Sequence, residues 1–312
     1  MKKRVLLISD VPGWAFDQNM QDLAITLADE FSFEHWYVID YHRAKFVPPV
    51  ITFDAIFRVF HLSVGAWNID HLLPWDRALG ALRSQWWDAN KQEPMGLAEF
   101  ATINKYRGFQ VCCEQNYLET KDHCPNVRLL TNPVRLGRFT APPPTERLIA
   151  EWNGNAQHNA GNIKDVKGLF TVIQPACLAA GVELQIAEYN TRRLAPAQMP
   201  AFYAGANVAL VASLYEGSSN SFREAMAAGL AVITTDCGDA RDTRDRQLAD
   251  YGDTGIWIVE RTEQAFMRAL LALKKDLPRV QQMGELNRRA IADRWSWQVW
   301  KKPYSDFLKL AM

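Results

Sequence analysis

No stretch of this 312-residue sequence approaches the ~18 consecutive apolar residues that a membrane helix needs, so no integral membrane segment is expected. The opening MKKRVLLISD has an apolar run only from Val5 to Ile8 before Asp10, and reads as a first β-strand rather than as the core of a secretion signal. Charge of one sign is missing too. Lys+Arg and Asp+Glu are both 35, so the formal net charge is zero and nothing in the total favours strong nucleic-acid binding. The five cysteines (Cys112, Cys113, Cys124, Cys177, Cys237) contain no CxxC pair, and their odd number suits reduced thiols rather than disulfides or zinc. No Asp-x-Asp pair occurs anywhere in the chain. The GxGxxG turn of a dinucleotide site is also absent. Gly13 stands alone after the first strand, which sets aside an NAD-dependent dehydrogenase or sugar epimerase.

What remains is a globular chain with real cores: 48% hydrophobic and 22% charged residues, long enough for two domains. The first half alternates strand and helix signals. Strands are expected at Arg4–Ser9, His35–Asp40, Asp54–Phe60, Gln110–Glu114 and Val127–Thr131. Helical patterns lie at Gln18–Asp29, Asp70–Trp87 and Ala98–Tyr106. Thr140–Thr145, with Pro142, Pro143 and Pro144 in a row, can neither continue a helix nor donate to a sheet, and reads as a linker. Alternation then resumes, with strands at Leu148–Trp152, Val182–Ala187, Asn207–Ser213, Ala231–Thr235 and Gly255–Val259. Helices fall at Gly168–Ala180 and Ser221–Ala228, and three more close the chain at Thr262–Lys275, Leu277–Arg294 and Trp295–Leu310. The expected fold is α/β, two facing Rossmann-like parallel-sheet domains spanning 1–140 and 146–294, with the C-terminal helix (about 295–312) packing back toward the first. Ligands of such sheets bind beyond the carboxyl ends of the strands, so the cleft between the domains is the expected site.

The most informative segment runs from Ser213 to Asp239. A buried strand ends at Ser213, a polar loop carries Glu216 and Gly217, a helix starts near Ser221, and Gly229 ends it before another buried strand. The backbone N–H groups of Gly217, Ser218, Ser219, Asn220 and Ser221 at that helix start suit an anion such as a diphosphate. Glu216 and Glu224 flank the anion site with seven residues between them.

The run Glu216–Gly217, Glu224–Gly229, Val232–Ile233, Gly238 resembles the donor signature of glycosyltransferase family 4. Four further segments resemble that family in the right order: Asn132–Phe139 (NPVRLGRF), Lys167–Gly168, Pro200–Val208, and Met283–Arg288 with Trp295–Trp297. The resemblance covers roughly residues 127–310 well and the first half in outline. It implies a GT-B fold and a metal-independent retaining transfer from a nucleotide-diphospho-sugar, a UDP- or GDP-sugar, used as substrate with no cofactor. It further implies that Glu216 lies against the donor sugar, Glu224 on the ribose, Lys167 on the departing diphosphate, and the Gly217–Ser221 backbone around the phosphates. His61, after the third strand, matches a histidine the family often turns toward the donor sugar. The acceptor is then a glycan, a lipid or a small molecule, and the location cytoplasmic, in solution or peripherally at a membrane.

Two departures stand out. Gly154-Asn155 replaces the family's Gly-Arg after the first strand of the donor domain, so one phosphate cation is missing and Lys164 is a candidate replacement. Pro12-Gly13-Trp14 replaces a glycine pair on the acceptor side, putting Gly13 and Trp14 where acceptor geometry is set. Alternatives stay open. Ser221–Glu224 has the form of a capping box, which would tie Glu224 to its own helix start. His61 and His158 also fit ordinary surface positions, and the six tryptophans from Trp14 to Trp87 fit core packing. Two competing functions share the fold: an enzyme that glycosylates modified DNA bases, and a non-catalytic nucleotide-sugar-binding protein.

Overall fold

The computed structural model describes residues 1–59, 69–82, 96–140, 143–157 and 164–312. His61 and His158 lie outside the described residues. The chain forms two compact units: 1–87 and 93–133 together with 297–312, and 134–296.

The first unit is a six-stranded, all-parallel sheet. Its strands are β1 (Lys3–Ser9), β2 (Phe31–Tyr37), β3 (Ala55–Arg58), β4 (Ala78–Leu82), β5 (Gly108–Val111) and β6 (Val127–Leu129), in the order β2-β1-β3-β4-β5-β6. Helices α1 (Ala15–Thr26), α2 (Val38–Ala44), α3 (Leu97–Ile103) and α4 (Glu114–Thr120) connect them. Val5 to Ile8 are buried to within 1%, as a strand covered on both faces requires. Of the helix expected at Asp70–Trp87, the described part is something else. Asp70–Leu72 and Trp75–Arg77 are single 3₁₀ turns, and Ala78–Leu82 is the central strand β4. Pro74 interrupts the helical spacing, and Gly80 lets the sheet close on a neighbour: a Cβ there would sit 2.7 Å from the Phe109 ring. The second strand also runs earlier than expected, since Val38–Ala44 turns into α2.

The second unit is a five-stranded parallel sheet of β7 (Ile149–Gly154), β8 (Glu183–Glu188), β9 (Val208–Val211), β10 (Ala231–Thr234) and β11 (Ile256–Ile258), ordered β11-β10-β9-β7-β8. Its helices are α5 (Gln174–Ala180), entered through a π turn at Leu169–Ile173, then α6 (Met199–Ala204), α7 (Asn220–Ala227), α8 (Ala240–Tyr251), α9 (Glu263–Lys274) and α10 (Leu277–Ala290). Period-two alternation divides the sheet between two cores. Ala150, Trp152, Val208, Leu210 and Ile233 pack with Phe266 and Leu270 on one face. Ile149, Ala209, Val211 and Val232 pack with Phe202, Phe222 and Met226 on the other. Val134 and Phe139, ahead of the proline run, already belong to this second core.

The last helix, α11 (Trp297–Lys309), returns to the first unit. Trp297, Tyr304, Phe307 and Leu308 form its buried stripe, with the Phe307 ring 5.5 Å from Phe57. Gln110 Nε2 donates to the Tyr304 hydroxyl at 2.8 Å, and that hydroxyl donates to the Thr131 carbonyl at 2.9 Å. Burying each such aromatic ring contributes about 1.5–3 kcal/mol, which explains why the segment docks. No helix among the described residues is long and apolar enough to cross a membrane.

Candidate functional site

The strand order of the second unit reverses between β7 and β9, and the loops leaving the carboxyl ends of those two strands meet there. The loop after β7 ends at Asp165–Gly168; the loop after β9 runs from Ala212 to Ser219. Arg261 holds both, its Nε donating to the Ala212 carbonyl at 2.8 Å and its Nη2 to the Asp165 carbonyl at 2.7 Å. Leu214 N–H donates to the Val166 carbonyl at 3.0 Å. Asp165 takes a left-handed backbone (φ 51°), and its Oδ2 accepts from the N–H groups of Phe170 and Thr171. Gly168 (φ 71°) allows the close approach, because a Cβ there would stand 2.6 Å from the Ala212 carbonyl oxygen.

This framework brings Lys167 and Glu216 into direct ion-pair contact, both largely but not wholly covered at 24% and 16% side-chain exposure. Ser213 Oγ donates to the same Glu216 oxygen at 2.8 Å. Lys164 is exposed. Beneath Glu216 lies the loop after β10. Thr235 Oγ1 donates to the Ser213 carbonyl at 2.5 Å, and Gly238 (φ 57°) rests against Gly217. A Cβ at Gly238 would overlap the Gly217 carbonyl oxygen and touch Glu216 Cβ at 3.0 Å. Gly238→Ala is therefore expected to cost about 1–3 kcal/mol and to lower activity with it, because the displaced loop carries Glu216. Thermal denaturation and turnover measured together check this; a variant that keeps both contradicts the tight contact. Burial, aided by the Glu216 charge, pushes the neighbouring Cys237 thiol up to about 12.

Helix α7 begins at Asn220 with Ser219 as its N-cap, two residues earlier than the capping-box reading requires. Ser221 is already helical, so the Ser221–Glu224 box does not form. The reason is local: the Ser219 and Ser221 hydroxyls bond each other at 2.9 Å, and no side chain of the cap closes the helix start. Ser218 is buried, while Ser219, Asn220 and Ser221 are partly exposed. Glu224 turns instead toward Tyr203 of α6, whose hydroxyl donates to it at 3.1 Å, and toward Arg138, 3.5 Å away. Behind Tyr203, Asn153 Nδ2 donates to the Tyr203 oxygen at 3.1 Å and to Glu151 at 3.0 Å. Sequence reasoning named none of Glu151, Asn153, Tyr203, Arg138, Asp165 or Arg261 as site residues.

Gly154 ends β7, and Asn155 after it has taken up a turn-holding role. Its Oδ1 accepts from Gln157 N–H at 2.9 Å and from Asn190 Nδ2 at 3.1 Å. In the first unit Gly13 (φ 75°) donates its N–H to Asp17 at 2.7 Å, and Trp14, 36% exposed, caps α1. Asp17 is buried and also accepts from Tyr37 at 2.8 Å. A cavity of about 360 Å³ lined by Pro143, Pro144, Asn207, Gly229, Val280 and Arg288 lies at the amino ends of β7, β9 and β10. It is at the opposite end of the strands from Lys167 and Glu216. Among the described residues no group of three or more His, Cys, Asp or Glu side chains is placed to hold a metal ion.

Two parallel-sheet units of this kind have the GT-B fold of glycosyltransferases. Residues 175–276 match the family model "Glycosyl transferases group 1". The whole chain is similar in structure to sucrose-phosphate synthase of Thermosynechococcus elongatus, at 15% identity and TM-score 0.71, covering 99% of this chain and 98% of that one. It is also similar to HepE of Anabaena, solved with UDP and glucose, at 12% identity and TM-score 0.70, covering 99% and 100%. A glycosyltransferase of Rickettsia africae is similar at 11% identity and TM-score 0.68, covering 99% and 98%. No curated protein sequence matches the chain.

Proposed function

We propose that the chain transfers a sugar from a nucleotide-diphospho-sugar, a UDP- or GDP-sugar, to an acceptor glycan, lipid or small molecule, with retention of the anomeric configuration. The observation that carries this reading is the Lys167–Glu216 contact at the switch point, beside the amino end of α7. The helix start and the Gly217–Ser221 backbone receive the diphosphate. Lys167 leaves Glu216 for the β-phosphate, and Glu216 turns to the donor sugar. Glu224 takes the ribose hydroxyls.

In the reaction the bond between the anomeric carbon and the diphosphate oxygen breaks. The acceptor oxygen bonds to that carbon from the same face, and its proton passes to the departing phosphate. Negative charge grows on the leaving diphosphate, so a fixed cation and fixed N–H dipoles stabilise the transition state more than the ground state. The reading requires no metal, because Lys167 and the helix start supply the positive charge. Modified DNA as acceptor is the second reading; the zero net charge of the chain weighs against it.

Incubation with a panel of UDP- and GDP-sugars is expected to release the nucleoside diphosphate from one of them, read by mass spectrometry. Tight donor binding without release would identify a nucleotide-sugar-binding protein instead. Neither binding nor release across the panel would overturn the reading. Filter binding to duplex DNA over a salt series separates the DNA acceptor: a steep salt slope is its signature.

A further inference from the structure

Four polar side chains are threaded through an apolar core in the second unit. Glu151 on β7 is 2% exposed and Tyr203 on α6 is fully buried, among Phe202, Phe222, Ala209 and Met226. A carboxyl group and a hydroxyl in such surroundings cost free energy unless they are bonded. Here they are, and the bonds have a direction. Asn153 Nδ2 donates to Glu151 and to the Tyr203 oxygen, so the Tyr203 proton is left to point at Glu224. The chain runs from a buried strand position outward to Glu224, whose side chain is 14% exposed.

We infer that Tyr203 is a positioning residue: its hydroxyl, oriented by Asn153 and Glu151 buried behind it, holds the Glu224 carboxylate in the rotamer that receives the donor's ribose. The inference rests on the ribose role given to Glu224 above. A phenylalanine would pack at position 203 equally well, but it would remove the hydroxyl that bonds Glu224.

The groups facing Glu151 define what pH does to the device. On the neighbouring strands Gln185 and Ala209 lie in register with it, one neutral and one apolar; Tyr203 comes from α6 and Glu224 from α7, with Arg138 on the far side of Glu224. Burial, with the Asn153 hydrogen bond opposing it and the Glu224 charge adding to it, raises the Glu151 carboxyl to about 8. Glu151 is thus neutral at pH 7 and becomes charged as the pH rises through 8. Ionisation puts a second negative charge behind Glu224 and draws the Asn153 amide toward Glu151, loosening the orientation of Tyr203.

The test compares UDP with 2′-deoxy-UDP, and GDP with 2′-deoxy-GDP, by calorimetry on the full chain. A ratio of ribose to deoxyribose affinities isolates the Glu224 contact from folding defects and from titration of the base. The wild-type protein is expected to favour the ribose form about tenfold or more, as a charged hydrogen bond allows. Glu224→Ala should abolish the preference, and Tyr203→Phe should remove most of it with the protein still folded by circular dichroism. Between pH 7 and 9 the wild-type preference should fade, while Glu151→Gln, which cannot ionise, should hold it level. Full preference in Tyr203→Phe, with Glu224→Ala abolishing it, overturns the inference and leaves the functional reading standing. A preference that survives Glu224→Ala overturns the ribose role and the inference together. A wild-type preference flat to pH 9 removes Glu151 from the device.

Discussion

Lys167→Ala is expected to lower donor turnover about 100- to 1000-fold, the size of effect that follows when one fixed electrostatic partner of a developing charge is removed. Its Nζ contacts Glu216 directly, on a loop that Gly168 and Arg261 press against the Ala212 backbone, so the ammonium is held rather than free to wander. Positioning of that kind is what makes a cation effective, since it spends no reorganisation when the bond to the diphosphate breaks. The charge on the leaving oxygen is greater in the transition state than in the bound donor, so kcat should fall more than the affinity for the nucleotide-sugar donor. Lys167→Arg should recover only part of the loss. A guanidinium is wide and planar where the site is shaped for a point charge, and it would meet Glu216 in a different geometry. Glu216→Gln should separate the two partners: Ser213 can still bond the side chain, but the charge that pairs with Lys167 is gone. Steady-state kinetics with the donor found by the panel decides the matter. A loss below about threefold in Lys167→Ala would remove Lys167 from the chemistry.

The fold was legible because burial on both faces of a parallel sheet writes itself into consecutive apolar residues. Val5–Ile8, Val208–Val211 and Ala231–Thr234 are each such runs, and each is a strand. The resemblance to GT-B glycosyltransferases was legible for a related reason: residues 213–239 form one contiguous strand–loop–helix–strand unit whose candidate site positions are close in sequence. Helix α8 was not expected at all. Half of its residues are charged, only Ala240, Thr243 and Gln247 of it are buried, and no apolar stripe announces it. The helical pattern at Asp70–Trp87 failed because apolar spacing cannot tell a helix from two tight turns followed by a buried strand. The partners of Glu224 were hidden for a different reason. Glu151 lies 52 positions from Tyr203, and an acidic residue in a strand ordinarily signals the wet face; only the alternation around it, with Ile149 and Asn153 on the same side, shows that it points into the core. Asp165 and Arg261 act through backbone carbonyls, a role that leaves no mark in residue spacing.

Asp239→Ala is expected to destabilise the protein by about 3–5 kcal/mol, because it removes the carboxylate that pairs with a buried charge. Arg223 on α7 is 2% exposed, hydrogen-bonds Asp239 through Nη2, and lays its guanidinium 4.3 Å over the Trp295 ring. The ring offsets part of the charge, about 0.5–2 kcal/mol, but cannot replace a carboxylate. Asp239 is itself buried and caps α8 with its backbone carbonyl, which accepts from Thr243 N–H and Oγ1. That contact survives the substitution, so the loss belongs to the ion pair rather than to the helix start. In a unit of this size the melting temperature should fall by about 6–20 °C. The pair also joins α7 to the loop that carries Gly238, so the lost tie should weaken nucleotide binding alongside stability. The double variant Arg223→Met with Asp239→Ala is the decisive comparison. Removing both charges abolishes the desolvation cost as well as the attraction, and most of the stability should return. If the double variant is as unstable as the single one, the effect comes from lost packing around Asp239. If the single variant melts within about 2 °C of wild type, water reaches Arg223 and the pair is not the buried tie between α7 and α8 that its burial indicates.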